Sequence, residues 1–373
     1  MITIIGCGKR AVSRIQAGFI ASVRVVPRAS RNTGKAGIGA AAVLALPPMF
    51  MFAASTSVRA DHGGLGVGLG IASPIVTDSA ITLPDGKWVV GERTQWVQFN
   101  RFSNPQMLRI KNAFGDGPRA DVHSLTGILN PALFAAYGVT DTLSVGLRLP
   151  AVARFNVRAP AEDGDHVDVL GDATGFGDIT AFGQYRFWHT KDNSTHASLL
   201  FGLQMPTGMD HVKTKQGEPF DPHFQPGTGA WSPFVGAAFT HGFGQWSVDT
   251  SYQYQFQGTG VAGSDQGDDF LYNVAVSYAL SDSAPNPLYA ETNSATWVLV
   301  AEINGEWRAS QNTHGVVDPN TGGNTIYLSP GFRYAGGANW NVSFSFGAPI
   351  VRNEYGHQNI PDYRIVNRIS ITF

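Results

Sequence analysis

Most of the chain from Trp88 onward alternates apolar and polar residues with a period of two, in segments of about ten residues. The segment 246–256 shows the pattern clearly. One face carries Trp246, Val248, Thr250, Tyr252, Tyr254 and Phe256, and the other carries Ser247, Asp249, Ser251, Gln253 and Gln255. Because successive side chains of a strand point to opposite faces, this pattern predicts a strand that is apolar on one side and polar on the other.

The same alternation predicts twelve strands and fixes the connections between them. The strands are predicted at 88–102, 123–137, 143–158, 177–188, 196–205, 231–240, 246–256, 270–280, 297–308, 324–334, 340–350 and 363–373. The connections 138–142, 190–195, 241–245 and 335–339 are short, whereas 103–122, 159–176, 206–230, 257–269, 309–323 and 351–362 are long. One connection on the short side, 281–296, is also long. Short turns on one rim and long loops on the other predict an all-β, antiparallel, up-and-down transmembrane barrel with short periplasmic turns and long extracellular loops.

Aromatic residues cluster at both ends of the predicted apolar face. Trp246, Tyr278, Trp297, Tyr334 and Trp340 adjoin short turns, and Trp231, Tyr254, Phe256, Phe270, Tyr272 and Trp307 adjoin long loops. Two such rows are typical of the aromatic belts at the two surfaces of a membrane. A soluble β-sandwich is the alternative, but it would bury its apolar face and would not collect Trp and Tyr at both ends.

Composition and charge divide the chain into a basic part, residues 1–60, and an acidic remainder. Its 373 residues are 43% hydrophobic and 14% charged, and 23 Phe, 11 Tyr and 8 Trp exclude a disordered protein. After residue 60, no apolar stretch approaches the ~20 residues of a membrane helix. Residues 1–60 contain eight basic residues and no acidic one, so the remaining 313 residues carry 18 basic and 28 acidic residues, a net charge of −10.

The basic part is predicted to be a leader and signal peptide that is removed. Basic residues precede the apolar run 36–54, and Val58 and Ala60 fit the small-residue pattern of a cleavage site before Asp61. A membrane anchor is the alternative, which Pro47 and Pro48 within the run disfavour. The only cysteine, Cys7, lies in this leader, so we expect a mature chain without disulfide bonds. Residues 61–87 are predicted to form a Gly-rich segment that either plugs the barrel or lies in the periplasm, and 88–373 the barrel.

The last segment, 363–373, alternates Ile365, Ile369 and Ile371 with polar residues and ends on Phe373. This ending resembles the C-terminal signal that the outer-membrane assembly machinery reads in bacterial barrels. We therefore expect that machinery and the lipids of a Gram-negative outer membrane to be partners of the chain, and we expect no nucleic acid partner.

Several phrases of the mature chain resemble one family of outer-membrane proteins. They are HGGLGVG (62–68), LPDGKW (83–88), YGVTDTLSVGLRLP (137–150), GFGDIT (175–180), MPTG (205–208), DPHFQPGTGAW (221–231), INGEWR (303–308) and LSPGFRY (328–334). In this order they resemble the family named Putative MetA-pathway of phenol degradation, whose members are transporter-like. The resemblance implies an outer-membrane channel associated with uptake of small organic, often aromatic, compounds.

The polar faces of the strands predict which side chains line the lumen. The candidates are Asp178, Gln184, Arg186, Gln204, Asp249, Gln253, Asn273, Glu302, Glu306, Arg308, Arg333, Arg364 and Arg368. Charges of both signs across a pore restrict what passes. The alternative is that these residues pair with one another and fill a narrow barrel, and a barrel of twelve strands fits either interpretation.

The connection 206–230 is a candidate gate. It contains Asp210, His211, Asp221, His223 and Gln225 and can lie over the lumen as an extracellular lid or fold into it. The other interpretation is a solvated loop held by its Asp-Pro and Pro-Gly turns.

Metal-dependent and enzymatic functions have weaker support in the sequence. A cation site is a further hypothesis, and its candidate ligands are His62 and, in the acidic loop 162–172, Glu162, Asp163, Asp165, His166, Asp168 and Asp172. Acidic loop residues are hard-cation ligand types, but their spacing matches no EF-hand loop. We expect no metal and no cofactor. An outer-membrane lipase would need Ser and His on the lipid-facing surface, and the sequence predicts no mid-strand outward histidine and contains no G-x-S-x-G phrase. The prediction is therefore a channel for passive uptake of small organic solutes, aromatic or hydrophobic ones included, through a gated lumen. A non-conducting structural barrel is the main alternative.

Overall fold

The computed structural model describes residues 73–115, 117–280, 295–336 and 339–373. Their strands, in chain order, are β1 (Trp88–Asn100), β2 (Gly127–Thr140), β3 (Leu143–Pro160), β4a (Val167–Phe176), β4b (Thr180–His189), β5 (Thr195–Gln204), β6 (Ser232–Phe243), β7 (Trp246–Gln255), β8 (Asp269–Ala279), β9 (Thr296–Arg308), β10 (Gly323–Gly336), β11 (Trp340–Glu354) and β12 (Ile360–Thr372). The predicted leader 1–60, the start of 61–87 and most of the connection 281–296 lie outside the described residues.

These strands form one closed antiparallel barrel. Each strand pairs with its neighbours in the chain, and β1 pairs with both β2 and β12, which closes the ring. The strands β4a and β4b pair with the upper and lower halves of β3, so they are two parts of one strand and the barrel has twelve. The predicted fold class and strand number are confirmed. Among the described residues, pairing of β1 with β12 leaves neither the first nor the last strand as a free edge, as a strand protein in lipid requires.

The wall of the barrel is apolar outside and polar inside. On β7, Trp246 and Tyr252 are 44% and 43% exposed, whereas Asp249 and Ser251 are each 1% exposed. The apolar faces of the other strands are exposed in the same way, including Leu299 at 51% and Ile303 at 47% on β9. This distribution is the reverse of that in a soluble protein and is what alternation around a membrane barrel produces.

The two rims differ as predicted, but the long connections contain more structure than the sequence pattern indicates. A helix, α1 (Asn104–Phe114), follows β1, and Gln106 accepts a hydrogen bond from the N–H of Ser103 at its start. In the part of the chain that the structure describes, no helix has the length and apolar character needed to cross a membrane. The pairs Ser264–Asp265, Asn312–Thr313 and Val316–Val317 form a small separate sheet.

The prediction of a loop at 159–176 is wrong. The stretch 159–176 is not a connection, because β3 continues to Pro160 and returns as β4a, so the two strands form a hairpin that rises above the rest of the wall. Leu170 packs inward here whereas Asp168 and Asp172 keep the hairpin polar. Above the lipid no apolar outer face is needed, and the alternation that identified the other strands is therefore weak in this one.

Residues 73–83 are buried inside the barrel. Ile75 and Val76 pack against inward apolar residues of β8, β9, β10 and β12, including Val298 and Val366. Ile81 and Leu83 pack against the other side of the wall, on β2, β4b, β5 and β6. The segment leaves past β2, where a Cβ on Gly138 would clash with the carbonyl oxygen of Pro84. It therefore crosses the lumen from one wall to the other.

Candidate functional site

The N-terminal segment is held by the carboxylate of Glu302 on β9. Glu302 Oε1 accepts the N–H of Ile75 at 2.6 Å, and Oε2 accepts the N–H and the hydroxyl of Thr77, each at 2.8 Å. The N–H of Val76 lies 3.0 Å from Oε1. Hydrogen bonds to an ionised acceptor are shorter and stronger than those between neutral groups. One acidic side chain of the wall therefore satisfies three consecutive backbone amides of the segment.

Two arginines of the wall hold the beginning of the segment. Arg333 on β10 donates to the carbonyl oxygen of Ser73 at 3.0 Å, and Arg368 on β12 donates to that of Pro74 at 3.2 Å. Both arginines are buried, at 1% and 0% exposure. The carbonyl groups of Ser73 and Pro74 thus accept hydrogen bonds from charged side chains of the wall. These arginines lie on the same side of the barrel as Glu302, which accepts hydrogen bonds from the amides of the segment.

The end of the segment contacts neutral polar groups on the opposite wall. Gln184 on β4b donates to the carbonyl oxygen of Ser79 at 2.8 Å, and Ser198 on β5 donates to that of Ala80 at 2.6 Å. The N–H of Ala80 donates to Thr240 on β6 at 2.8 Å, and Asp249 accepts from Thr240 at 2.6 Å. The inward polar residues therefore take the place of water as hydrogen-bond partners of this backbone. At this level of the barrel they surround the segment and not an open channel.

Above the segment, charged side chains pair across the lumen. Arg364 on β12 forms an ion pair with Glu306 on β9, and its guanidinium lies 4.1 Å from the ring centre of Tyr327. It also donates to Asn304 at 2.9 Å, and Asn304 donates to Asn273 at 3.1 Å. This network joins β8, β9 and β12 through the interior.

A second ion pair, between Arg308 on β9 and Asp269 on β8, lies nearer the long loops. Gln257 donates to the other carboxylate oxygen of Asp269 at 2.9 Å, so the carboxylate is held from two sides. Both members of the pair are nearly buried, with side chains 10% and 4% exposed.

Three cavities follow one another along the lumen from the long-loop end. The outermost, of about 400 Å³, and the next, of about 80 Å³, share Asp121, His223, Gln311 and Asp318 in their linings. The 80 Å³ cavity and an inner one of about 30 Å³ share Gln266 and Arg308. The middle cavity has apolar walls from Phe99, Leu125 and Phe224, whereas the inner one is lined by polar groups that include Arg148, Asp178 and Gln204.

Asp178 joins three separate parts of the chain at the junction of β4a and β4b. Its Oδ1 accepts the N–H of Gly208 at 2.8 Å and that of Thr207 at 3.1 Å. Its Oδ2 accepts both the N–H and the hydroxyl of Thr228 at 2.7 Å, and Gln204 donates to it at 3.1 Å. The phrases GFGDIT, MPTG and QPGTG, which are far apart in sequence, therefore meet at one carboxylate.

The connection between β5 and β6 folds over and into the mouth of the barrel. Gln225, 2% exposed, accepts from the N–H of Val212 at 2.8 Å and donates to the carbonyl oxygen of Phe220 at 2.8 Å. Arg154 on β3 donates to the carbonyl oxygen of Phe224 at 3.2 Å, and Phe224 itself is 4% exposed within an apolar cluster. Of the five candidate gate residues, Gln225 folds the loop, Asp221 and His223 line the outer cavity, and Asp210 contacts the exposed His211.

A group of charged residues surrounds His123, which precedes β2. Its Nε2 lies 3.0 Å from Asp221 Oδ2, and its Nδ1 lies 3.4 Å from Asp121 Oδ1. Burial alone lowers the pKa of His123, but the two carboxylates outweigh it and raise the pKa to about 9. Burial raises the pKa of Asp318 nearby to about 6. The mouth of the lumen is therefore acidic and stabilises positive charge.

The remaining predicted lumen residues lie on the inward face as well. Asp249 and Gln253 are buried, and Arg186 lies at the short-turn rim, where it donates to the carbonyl oxygen of Asp141 at 2.8 Å. Asp269 is not among the predicted lumen residues, because the alternation places it in the connection 257–269 rather than at the start of β8. The group around His123 is not predicted either, because the alternation places His123 at the start of the strand 123–137, whereas β2 begins at Gly127 and contacts between loops leave no periodic signal.

The outward aromatic residues form contacts at both rims. At the short-turn rim, the ring centres of Trp246 and Tyr278 are 4.6 Å apart, and those of Trp297 and Tyr334 are 4.8 Å apart. Trp340 lies 5.5 Å from Tyr334. At the long-loop rim, Tyr254 and Tyr272 each lie near Phe270, and Trp231 and Trp307 lie on the same outward face, 58% exposed and half-buried respectively.

Comparisons with known proteins agree with this architecture. The family described as Putative MetA-pathway of phenol degradation matches residues 116–353. An outer-membrane channel from Pseudomonas putida F1 is similar in structure, with a TM-score of 0.52 at 14% identity over 79% of this chain and 98% of that one. The toluene transporter TbuX from Ralstonia pickettii gives a TM-score of 0.39 at 12% identity over 84% and 98% of the two chains. No curated protein matches the sequence.

Proposed function

Since the chain belongs to the family described as Putative MetA-pathway of phenol degradation, we propose that it is a channel in the outer membrane of a Gram-negative bacterium. Its cargo is small organic solutes, aromatic or hydrophobic ones included, which enter by passive diffusion. The barrel is of the transporter type, and the fold it shares with the Pseudomonas putida channel agrees with this role.

The observation that carries the proposal is the series of cavities in the lumen. The outermost cavity, of about 400 Å³, adjoins one of about 80 Å³, which in turn adjoins one of about 30 Å³. A site with apolar walls and a few polar groups suits a small organic molecule. A barrel filled only for stability would have no reason to keep adjoining cavities between its outer rim and its centre.

The gate in this proposal is the N-terminal segment 73–83. It crosses the lumen below the inner cavity and is held by side chains of the wall, including Glu302, Arg333 and Gln184. Hydrogen bonds between the segment and the wall can be exchanged for hydrogen bonds to water, at a net cost of about 1 kcal/mol each for neutral partners and about 1.5–3 kcal/mol each for charged ones. Displacement of the segment therefore opens the path without unfolding the barrel. The predicted lumen residues then have two roles. They bind the segment while the path is closed, and they line the path after the segment is displaced.

The aromatic rows and Phe373 complete the proposal. We place the Trp and Tyr rows at the two surfaces of the outer membrane, in contact with its lipids. We also infer that Phe373, 58% exposed at the end of β12, is read by the outer-membrane assembly machinery.

Ion current across a planar bilayer tests this function. Wild-type protein and the Glu302→Gln variant are inserted separately, and phenol is then added as the probe. We expect discrete current steps, more frequent in the variant, that phenol interrupts in a concentration-dependent manner. If neither protein carries current, the non-conducting structural barrel is correct instead. Release of fatty acid from the bilayer lipids by wild-type protein would identify an outer-membrane lipase.

A further inference from the structure

Three metal-ligating side chains from two different loops converge at the mouth of the barrel. His123 precedes β2, whereas Asp221 and His223 flank Pro222 between β5 and β6. One ligand atom from each of the three lies within 4.8 Å of the other two. Ligands at about 2.0–2.2 Å from a tetrahedral Zn²⁺ lie roughly 3.3–3.6 Å apart, so only a small inward movement is required.

Asp121 sets the orientation of the His123 ring through Nδ1, the ring nitrogen that does not face Asp221. Asp121 Oδ1 lies 3.4 Å from His123 Nδ1, which leaves Nε2 directed at Asp221, 3.0 Å away. Metal-ligating histidines nearly always have a carboxylate or carbonyl group on their second ring nitrogen, which fixes the tautomer and the direction of the ring. Asp121 has that position here. The edge of the Phe224 ring, whose centre is 5.0 Å from that of His123, restricts the ring further.

The charge around the three residues favours a cation. Asp121, Asp221 and Asp318 all line the outer cavity of about 400 Å³, which gives the site access from the loop side. His223 lines both this opening and the 80 Å³ cavity, so the group lies in the partition between them.

We propose that His123, Asp221 and His223 bind one divalent transition-metal cation of the Zn²⁺ type, which joins the loop before β2 to the loop between β5 and β6. Two imidazoles and one carboxylate suit Zn²⁺, Ni²⁺ or Cu²⁺, whereas Ca²⁺ and Mg²⁺ select sites made of oxygen ligands. The group Asp163, Asp165 and His166 differs in that all three are exposed and come from one loop. The metal site does not depend on the proposed transport function, because its occupancy is measured without any solute flux.

Isothermal titration of the purified, chelator-treated full chain in detergent micelles with ZnCl₂ tests the proposal. We expect one strong site in the wild type, no comparable heat with CaCl₂ or MgCl₂, and loss of that site in His123→Ala and His223→Ala. Asp121→Asn should weaken it by roughly 10–100-fold, as expected for an outer group that orients a ligand. The control is His211→Ala, an exposed histidine of the same loop as His223.

Folding of each variant is checked by the shift in electrophoretic mobility between heated and unheated samples. The melting temperature supplies a second measurement, because a ligand that binds only the folded state raises it. Zn²⁺ should raise the melting temperature of the wild type and of His211→Ala but not of His223→Ala. Absence of a strong Zn²⁺ site in the wild type would overturn the proposal, as would equal losses in His211→Ala and His223→Ala.

Discussion

Glu302 on β9 and Thr77 in the N-terminal segment are joined twice, because one carboxylate oxygen accepts both the N–H and the hydroxyl of Thr77 at 2.8 Å. The sequence places Glu302 in the lumen as a residue that a solute would meet. In the structure its carboxylate is already occupied by the chain itself. In the proposed channel, conduction therefore depends on how easily this contact is broken.

Glu302→Gln should increase ion current through the barrel. The amide keeps the size of the side chain but loses the charge that strengthens three backbone hydrogen bonds, and its NH₂ group faces donors. A loss of about 1.4 kcal/mol in the hold on the segment would increase the open population about tenfold. Current is measured in planar bilayers beside Glu218→Gln, which changes an acidic residue in an outer loop. Equal currents from the two variants would show that the segment is not the gate.

Asp178→Asn should loosen the loop between β5 and β6. The amide can accept at one atom only, so several of the five donors around Asp178 lose their acceptor, and hydrogen bonds to charged groups are worth about 1.5–3 kcal/mol each. We expect a lower melting temperature and faster proteolysis within 205–231. Asp210→Asn is the matched control, because Asp210 lies in the same loop and contacts the exposed His211. The assigned role of Asp178 is wrong if both variants are cleaved at the same rate.

Ile303→Arg should destabilise the barrel in lipid. Ile303 lies in the middle of β9 on the outward face, 47% exposed, where an arginine costs about 2–4 kcal/mol near the centre of a bilayer. Val316→Arg is the control, because Val316 is 55% exposed in the small sheet outside the barrel. Urea unfolding in phospholipid vesicles should show a large loss for the first variant and almost none for the second. Similar losses would argue against lipid around β9.

The contributions of Arg308 and Asp269 to the free energy of unfolding should be strongly coupled. Removing one member of a buried ion pair leaves the other charge without compensation and typically costs about 3–5 kcal/mol, whereas removing both costs much less than the sum. We expect Arg308→Ala and Asp269→Ala each to lower the free energy of unfolding strongly, and the double variant to lower it little further. Denaturant unfolding of the four proteins measures the coupling. Additive losses would mean that the pair does not act as a unit.

The barrel could be predicted from the sequence because lipid enforces a rule on every second residue. Trp246 and Asp249 reveal their faces by periodicity alone, and twelve strands follow from the repetition. Where lipid ends, the rule ends, and the sequence pattern therefore predicts a loop in place of β4a. The strand bounds elsewhere differ from the predicted ones by at most four residues.

The contacts of the lumen were harder to predict than its lining. Alternation places Glu302 and Arg364 inside the barrel but does not say what each one meets. Glu302 contacts a segment more than two hundred residues earlier, and Arg364 pairs with Glu306 across two intervening strands. Such contacts depend on the diameter and stagger of the closed ring, which a single strand does not encode.

The N-terminal segment is continuous with the strand at which the ring closes. Trp88 exchanges two backbone hydrogen bonds with Phe373, at 2.8 Å and 2.9 Å, and the four residues 84–87 join it to the buried residues 73–83. During biogenesis, a segment that folds inward before the first and last strands meet is enclosed when they pair. A segment that is still outside at that moment has to thread through the short-turn rim afterwards. Closure of the ring and filling of its lumen therefore involve parts of the chain that only residues 84–87 separate.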